Sequence, residues 1–135
     1  MKAHLTRRYW FAASHRLHTD KLSTEQNREV YGKCNNPYGH GHNYALEVTV
    51  SGPVAQDTGF VVNLPELDAV VNSQVVERFD HQNLNFVPEF RDFVPTSENL
   101  CIAIYEILKR ELRGVHLDRV RLEETSKNSF EVSGE

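Results

Sequence analysis

Residues 39–53 read Gly39-His40-Gly41-His42-Asn43-Tyr44-Ala45-Leu46-Glu47-Val48-Thr49-Val50-Ser51-Gly52-Pro53. In an extended chain, successive side chains point to opposite faces. From residue 42 to 51, Tyr44, Leu46, Val48 and Val50 share one apolar face, and His42 opens it. Asn43, Glu47, Thr49 and Ser51 fall on the other. That pattern predicts a strand of an antiparallel sheet covered on one side only. Gly52-Pro53 ends it, and Gly59 marks the turn that follows.

The flanking sequence builds a domain around this strand. Residues 4–15 alternate as well, with Leu5, Tyr9, Phe11 and Ala13 on one face, Arg7 as the exception and His15 continuing the phase. Asn63 reads as a helix N-cap with Glu66 three residues on, and Leu64, Leu67, Val71, Val75 and Phe79 recur at helical spacing to about residue 79. Thr96 reads as a second N-cap, for a helix carrying Leu100, Ile104, Ile107, Leu108 and Leu112 and ending near Gly114. Residues 119–125 and 128–133 alternate again, with Asn128 suited to a hairpin turn between them. The sum is an α+β domain spanning residues 1–135: an antiparallel sheet with two helices packed on one face. The stretch from Arg16 to Gly39 shows no period, and loops of that length inside a compact domain are usually functional or disordered.

Composition narrows the function. The chain has 135 residues, 39% hydrophobic and 25% charged, with a formal net charge of −4. Those values suit a folded globular chain and speak against a general nucleic-acid binder. No apolar run approaches the ~20 residues of a membrane span. Two cysteines cannot staple a secreted scaffold. The opening MKAHLTRRYWFAASH lacks the apolar core of a signal peptide, so a cytoplasmic protein is expected. Residues 1–40 hold seven basic and three acidic residues, a net of +4 that favours an anionic small molecule there.

The chemistry gathers on seven histidines. His40 and His42 project from one face of their strand. If the two long strands pair antiparallel, His15 at the end of the first arrives beside them. Three neutral imidazoles at the rim of an apolar face suit zinc, and three protein ligands leave a position open for chemistry. Gly39 and Gly41 permit close backbone approach. Cys34 follows Lys33, which would favour its thiolate; it could serve as nucleophile, general base or fourth zinc ligand. Cys101 is expected as apolar filler in the second helix. Asp80-His81, directly after the first helix, can relay a proton or simply cap that helix. Glu124 is in phase with Val120 and Leu122. If it points to the apolar face it needs a donor-rich partner, such as a ligand with a guanidinium-like edge; if the strand ends at Leu122 it is solvated. His4, His18 and His116 read as surface residues.

Five blocks carry a resemblance: Phe11-Ala12-Ala13-Ser14-His15-Arg16-Leu17, Gly32 to Tyr44, Asp80-His81-Gln82-Asn83-Leu84, Pro95-Thr96-Ser97-Glu98-Asn99-Leu100 and Glu124-Thr125. In this order they resemble the 6-pyruvoyl-tetrahydropterin synthase family over nearly the whole chain. The resemblance implies the tunnelling fold, or T-fold: four antiparallel strands with two helices on one side. It implies trimers that stack into hexamers, with active sites at subunit interfaces. It implies Zn2+ on His15, His40 and His42, a catalytic Cys34, a proton-relay pair in Asp80 and His81, and a pterin anchor in Glu124. Thr96 and Glu98 fall in the segment that lines the pterin pocket. The implied reaction turns 7,8-dihydroneopterin triphosphate into 6-pyruvoyl-tetrahydropterin with loss of triphosphate. Arg16, Lys21 and Lys33 are candidate phosphate ligands.

Three alternatives bear on the same reading. The 6-carboxytetrahydropterin synthases of queuosine biosynthesis use the same substrate, but place three residues between the Cys and the first His of the pair. Here five intervene, Asn35 to Gly39, which is the pyruvoyl-type spacing. Relatives that cleave the side chain for folate often replace the Cys with Glu, and this chain keeps Cys34. A zinc-stabilised pterin-binding module without turnover would need neither Cys34 nor Asp80-His81. Phe79 departs from the Leu that often precedes Asp-His in the family.

Overall fold

The computed structural model describes residues 1–134. Strand β1 (Lys2–His15) pairs antiparallel with β2 (His40–Pro53) along the full length of both, from Lys2 opposite Pro53 to His15 opposite His40. β2 pairs antiparallel with β4 (His116–Glu123), and β4 with β5 (Ser129–Ser133). These are the four antiparallel strands expected. A fifth, β3 (Gln82–Asn83), lies parallel to the end of β1 and makes the sheet order β3-β1-β2-β4-β5. Two residues are too few for an alternation to be read, which is why β3 leaves no mark in the sequence. β4 begins three residues earlier than its alternation suggests, because a bulge on β4 opposite Thr49 and Val50 resets the phase of its side chains.

One face of the sheet is covered. Tyr44, Leu46, Val48 and Val50 of β2 are fully buried, as the alternation predicts, with Tyr9 and Phe11 of β1 beside them. Two helical layers pack on this face. The first is α2 (Leu64–Val71), continued by a π turn (Asn72–Val76) and by α3 (Glu77–Phe79). Asn63 caps it, its side chain accepting from the Glu66 backbone N–H. Leu67, Val71, Val75 and Phe79 recur every four residues. In an α-helix that spacing drifts by about 40° per step away from a fixed face. The wider π turn unwinds the drift, and all four side chains end up buried at 0–1% exposure.

The second helix, α4 (Ser97–Glu111), starts at its cap Thr96 and stops short of Gly114. Leu100, Ile104 and Leu108 complete the core. Each such side chain contributes roughly 1.5–3 kcal/mol by leaving water. Arg7, the exception on the apolar face of β1, reaches α2 instead. Its guanidinium grips both carboxylate oxygens of Asp68, at 3.0 and 2.8 Å, and Tyr9 donates to the same carboxylate at 2.7 Å.

The stretch between β1 and β2 is not a bare loop. It holds α1 (Thr24–Tyr31) and a 3-10 turn (Gly32–Asn35). α1 has a reciprocal capping box between Ser23 and Gln26, and its one buried residue is polar, Asn27. The Asn27 amide donates to the carbonyls of Thr19, Leu22 and Ser23, and accepts from the Thr19 N–H. A helix held by such bonds has no apolar stripe to announce it.

Candidate active site

The β1–β2 register sets the imidazoles. His15 stands opposite His40, and His42 lies one diagonal step along the same face. Ring centroids are 4.9 Å apart for His15 and His42, and 4.8 Å for His40 and His42, each pair edge to face. His15 is fully buried, and its Nδ1 lies 2.8 Å from the Pro95 carbonyl oxygen. A carbonyl only accepts, so Nδ1 carries the proton and Nε2 presents a lone pair. Among the described residues, Nε2 of His15 and Nε2 of His42 are both buried without a hydrogen-bond partner. Burial holds both imidazoles below their ordinary pKa, with the Glu124 carboxylate partly opposing this at each. Two neutral, bare ring nitrogens in one pocket are what a metal ion requires of its histidines.

Cys34 joins them from the 3-10 turn. That turn is tied down by the Leu17 N–H to the Cys34 carbonyl at 2.6 Å and by the Asn35 amide to the Leu17 carbonyl at 2.7 Å. Gly39 brings the chain back over His15 in the left-handed region at φ 84°, where a Cβ would stand 3.2 Å from the His15 carbonyl oxygen. Gly41 meets no such crowding. As a result the Cys34 Sγ and a nitrogen from each of His15 and His42 all lie within 4.8 Å of one another, a group that could hold a metal ion. His40 is exposed and stands outside that group. The thiol departs from expectation. Lys33 is exposed, and burial, followed by the Glu124 carboxylate, pushes the Cys34 thiol up rather than down.

Glu124 lies one residue past the end of β4, yet its side chain is only 14% exposed and its Oε1 is 3.9 Å from His42 Nε2. The buried Ser97 hydroxyl donates to its other oxygen. Thr96 caps α4, its hydroxyl accepting from the Asn99 N–H, and Glu98 points to solvent. Ser97, between them, is the member of that segment that meets the cluster. Sequence reasoning passed over it because a small polar residue in a first helical turn looks like part of the cap. Tyr44 was legible only as core; its ring packs on His42 at 5.7 Å between centroids, and its buried hydroxyl has no partner among the described residues.

Asp80 and His81 form a separate pair at the β1 edge. Asp80 accepts from the Ala12 N–H with one oxygen, and its other lies 2.9 Å from His81 Nδ1. The Ala12 hydrogen bond, then the one from His81, hold the Asp80 carboxyl below its ordinary pKa. The His81 backbone sits in the left-handed region, at φ 59°, and its side chain is 82% exposed. The carboxylate thereby fixes Nδ1–H and leaves Nε2 facing outward. A cavity of about 630 Å³ between the two helical layers holds none of these residues. A smaller one of about 350 Å³ is lined by Arg16, Arg28, Lys33, Asn36 and His40; Lys21 lies outside it.

Residues 4–135 match the family model described as 6-pyruvoyl tetrahydropterin synthase. The chain belongs to that family. A 6-pyruvoyl tetrahydrobiopterin synthase from Poecilia reticulata is 46% identical over 133 residues, covering 98% of this chain and 90% of its own. A solved 6-pyruvoyl tetrahydropterin synthase structure from Caenorhabditis elegans superposes with a TM-score of 0.91 at 40% identity, covering 100% and 97% of the two chains. A putative 6-carboxy-5,6,7,8-tetrahydropterin synthase from Archaeoglobus fulgidus is 39% identical over 93 residues, covering 69% of this chain and 74% of its own. The T-fold of the family is thus the fold observed here, with β3 as a short addition to the four expected strands. No helix among the described residues is long and apolar enough to cross a membrane.

Proposed function

We propose that this chain converts 7,8-dihydroneopterin triphosphate into 6-pyruvoyl-tetrahydropterin, releasing triphosphate. The observation that carries the reading is the meeting of Cys34 with the two unpartnered imidazoles beside Glu124. A pterin presents adjacent N–H donors on its 2-amino and N3 positions, and the Glu124 carboxylate, steadied by Ser97, can accept both. That fixes the ring and leaves the side chain at C6 pointing toward Cys34 and the imidazoles.

His15, His42 and His40 are the proposed zinc ligands. The bare nitrogens of the first two support this, as does the edge-to-face packing of His40 on His42. Bound there, the ion would acidify the side-chain hydroxyls and the hydrogens on their carbons. A cation beside Cys34 also opposes the upward push on its thiol. Cys34, as thiolate, removes a proton from the substrate side chain. His81, oriented by Asp80, returns protons as the chain rearranges to the diketone. The departing triphosphate fits the cavity lined by Arg16, Arg28 and Lys33, which shares His40 with the site. No external oxidant or reductant is required, since the side chain and ring exchange oxidation level internally.

Among the described residues, most of the outer edge of β1 is unpaired, because β3 covers only Ala13 and Ser14, and the far edge of β5 is open as well. Exposed edges invite pairing. The proposed assembly is a trimer or a hexamer of stacked trimers, in which the exposed His81 serves the Cys34 site of a neighbour. The two free cysteines suit a cytoplasmic setting. Mass spectrometry of the products formed from dihydroneopterin triphosphate tests the assignment. A pyruvoyl side chain and free triphosphate are expected; a 6-carboxy product with acetaldehyde would move the enzyme to the other branch, and bound but unchanged substrate would make it a binding module.

A further inference from the structure

Two histidines that the candidate active site does not use come together elsewhere. The strands pair so that His4 on β1 stands opposite Ser51 on β2, and Ser51 stands opposite His116 on β4. This row lies at the other end of the sheet: His4 precedes His15 by eleven residues of strand, about 36 Å at ~3.3 Å per residue. Asp118 joins the row through the bulge on β4. Thr49 faces Arg119 and Val50 faces Leu117, so Asp118 has no partner on β2. Its carboxylate projects between the two imidazoles.

The cluster is short of partners. Asp118 Oδ1 lies 3.8 Å from His4 Nε2 and 3.8 Å from His116 Nε2, too far for a hydrogen bond to either. Asp118 Oδ2 is buried without a partner among the described residues, and so is the Oγ of Ser51, a residue with 0% exposure that sits between the two histidines. A carboxylate with one oxygen screened from water and no donor on either is costly, and a cation on Oδ1, the oxygen that faces both imidazoles, offsets part of that cost by neutralising the shared charge. Two imidazole nitrogens and one carboxylate are a donor set for a first-row divalent ion.

We propose that His4, Asp118 and His116 form a second divalent-metal site, for an ion of the Zn2+, Co2+ or Ni2+ class, at the end of the sheet remote from Cys34. The site is less closed than the first. Three donors already within 4.8 Å of one another occur, among the described residues, only at His15, Cys34 and His42. The side chains of His4 and His116 are 55% and 70% exposed, so both rings are free to turn inward about their side-chain bonds. Binding is therefore weaker than at the first site, and three protein ligands leave positions for water.

The test is a titration of the metal-depleted full chain with Co2+, followed by calorimetry and by the visible absorption of the bound ion. Two classes of site per chain are expected. Asp118→Asn, nearly isosteric, and His116→Ala should each weaken the second class by more than the roughly 10–100-fold that a hydrogen-bonding neighbour of a ligand is worth. His42→Ala should remove the first class and keep the second, so the outcome does not depend on pterin turnover. The exposed His4→Gln variant gives the same reading should Asp118→Asn fold poorly. A single class in the unaltered chain, or a second class untouched by Asp118→Asn and His4→Gln, overturns the proposal.

Discussion

His15 donates its Nδ1–H to the carbonyl oxygen of Pro95, eighty residues along the chain, across 2.8 Å. The bond selects one tautomer and aims Nε2 into the pocket, where it meets no other partner among the described residues. His42 offers a second bare nitrogen, and Cys34 a thiol at the same point. His15→Ala and His42→Ala should each lose bound zinc, measured by elemental analysis of the purified protein. Cys34→Ala should keep its zinc and lose triphosphate release by about 10²–10⁴-fold. His40→Ala separates the two possible ligand sets: zinc lost there places His40 on the ion, while zinc retained there and lost in Cys34→Ala makes Cys34 the third ligand and removes it as the base.

Glu124 acts on Cys34 through charge. Its carboxylate adds to the upward push that burial exerts on the thiol. Glu124→Gln removes that negative charge, so the thiol pKa falls and the thiolate fraction at a fixed pH near neutrality rises. In metal-free protein, Cys34 should then be alkylated by iodoacetamide faster than in the unaltered chain, read by mass spectrometry of the Cys34 peptide. Cys101 is buried and its thiol is pushed up to about 12, so it serves as an unreactive internal control. With substrate, the same variant should raise KM, because the pterin loses its paired acceptor. Faster alkylation without a KM change would uncouple the residue from ring binding.

The parts of this fold that the sequence discloses are those with an apolar period. The alternation in β1 and β2 sets their pairing, and the two four-residue stripes with caps at Asn63 and Thr96 set the helices. What it hides is held by polar contacts or by irregular geometry. α1 has no apolar stripe, and its only cue is the spacing of Ser23 and Gln26. The bulge at Asp118 inverts the phase of β4 without any glycine to mark it. At the site, the histidines, Cys34 and Glu124 are legible from residue type and phase. Ser97 is not, because its value lies in reaching a carboxylate twenty-seven residues away. The push on Cys34 is also illegible, because it comes from burial and from Glu124, not from its neighbour Lys33.

Asn27 gives that hidden helix a test. Asn27→Ala strands the Thr19 N–H and the Leu22 carbonyl, and leaves the Thr19 and Ser23 carbonyls only their backbone partners, the N–H groups of Leu22 and residue 27. The cost is about 1–3 kcal/mol, borne by the segment from residue 17 to 36 and not by the sheet. Amide exchange should speed up there while β2 stays protected. Turnover should fall because the turn that carries Cys34 is anchored to the same segment. Uniform loss of protection across the sheet would instead make α1 part of the main cooperative unit.

Arg7 and Tyr9 lock β1 to α2 through Asp68. Their hydrogen bonds, Arg7 first and then Tyr9, hold the Asp68 carboxyl below its ordinary pKa of about 3.8. A carboxyl depressed in the folded state adds stability above its unfolded pKa, and that stability is lost as the pH falls through the folded value. Asp68→Asn should therefore lower the melting temperature by a few degrees at pH 7, and the gap to the unaltered chain should close below about pH 4. A gap of constant size from pH 7 to pH 3 would assign the effect to packing.

Asp80 and His81 stand at the β1 edge with the imidazole 82% exposed, whereas Cys34 faces the covered side of the sheet. If the relay works across a subunit boundary, two inactive chains should complement each other. Cys34→Ala supplies an intact Asp80-His81 pair, and His81→Ala supplies an intact Cys34. Refolded together in equal amounts, random exchange gives sites that combine both intact halves in about a quarter of cases. Turnover should recover to about that fraction of the unaltered enzyme, while each variant refolded alone stays inactive. Mixed oligomers that form, as judged by tagged-chain capture, yet show no recovery would place Cys34 and His81 in the same chain's site.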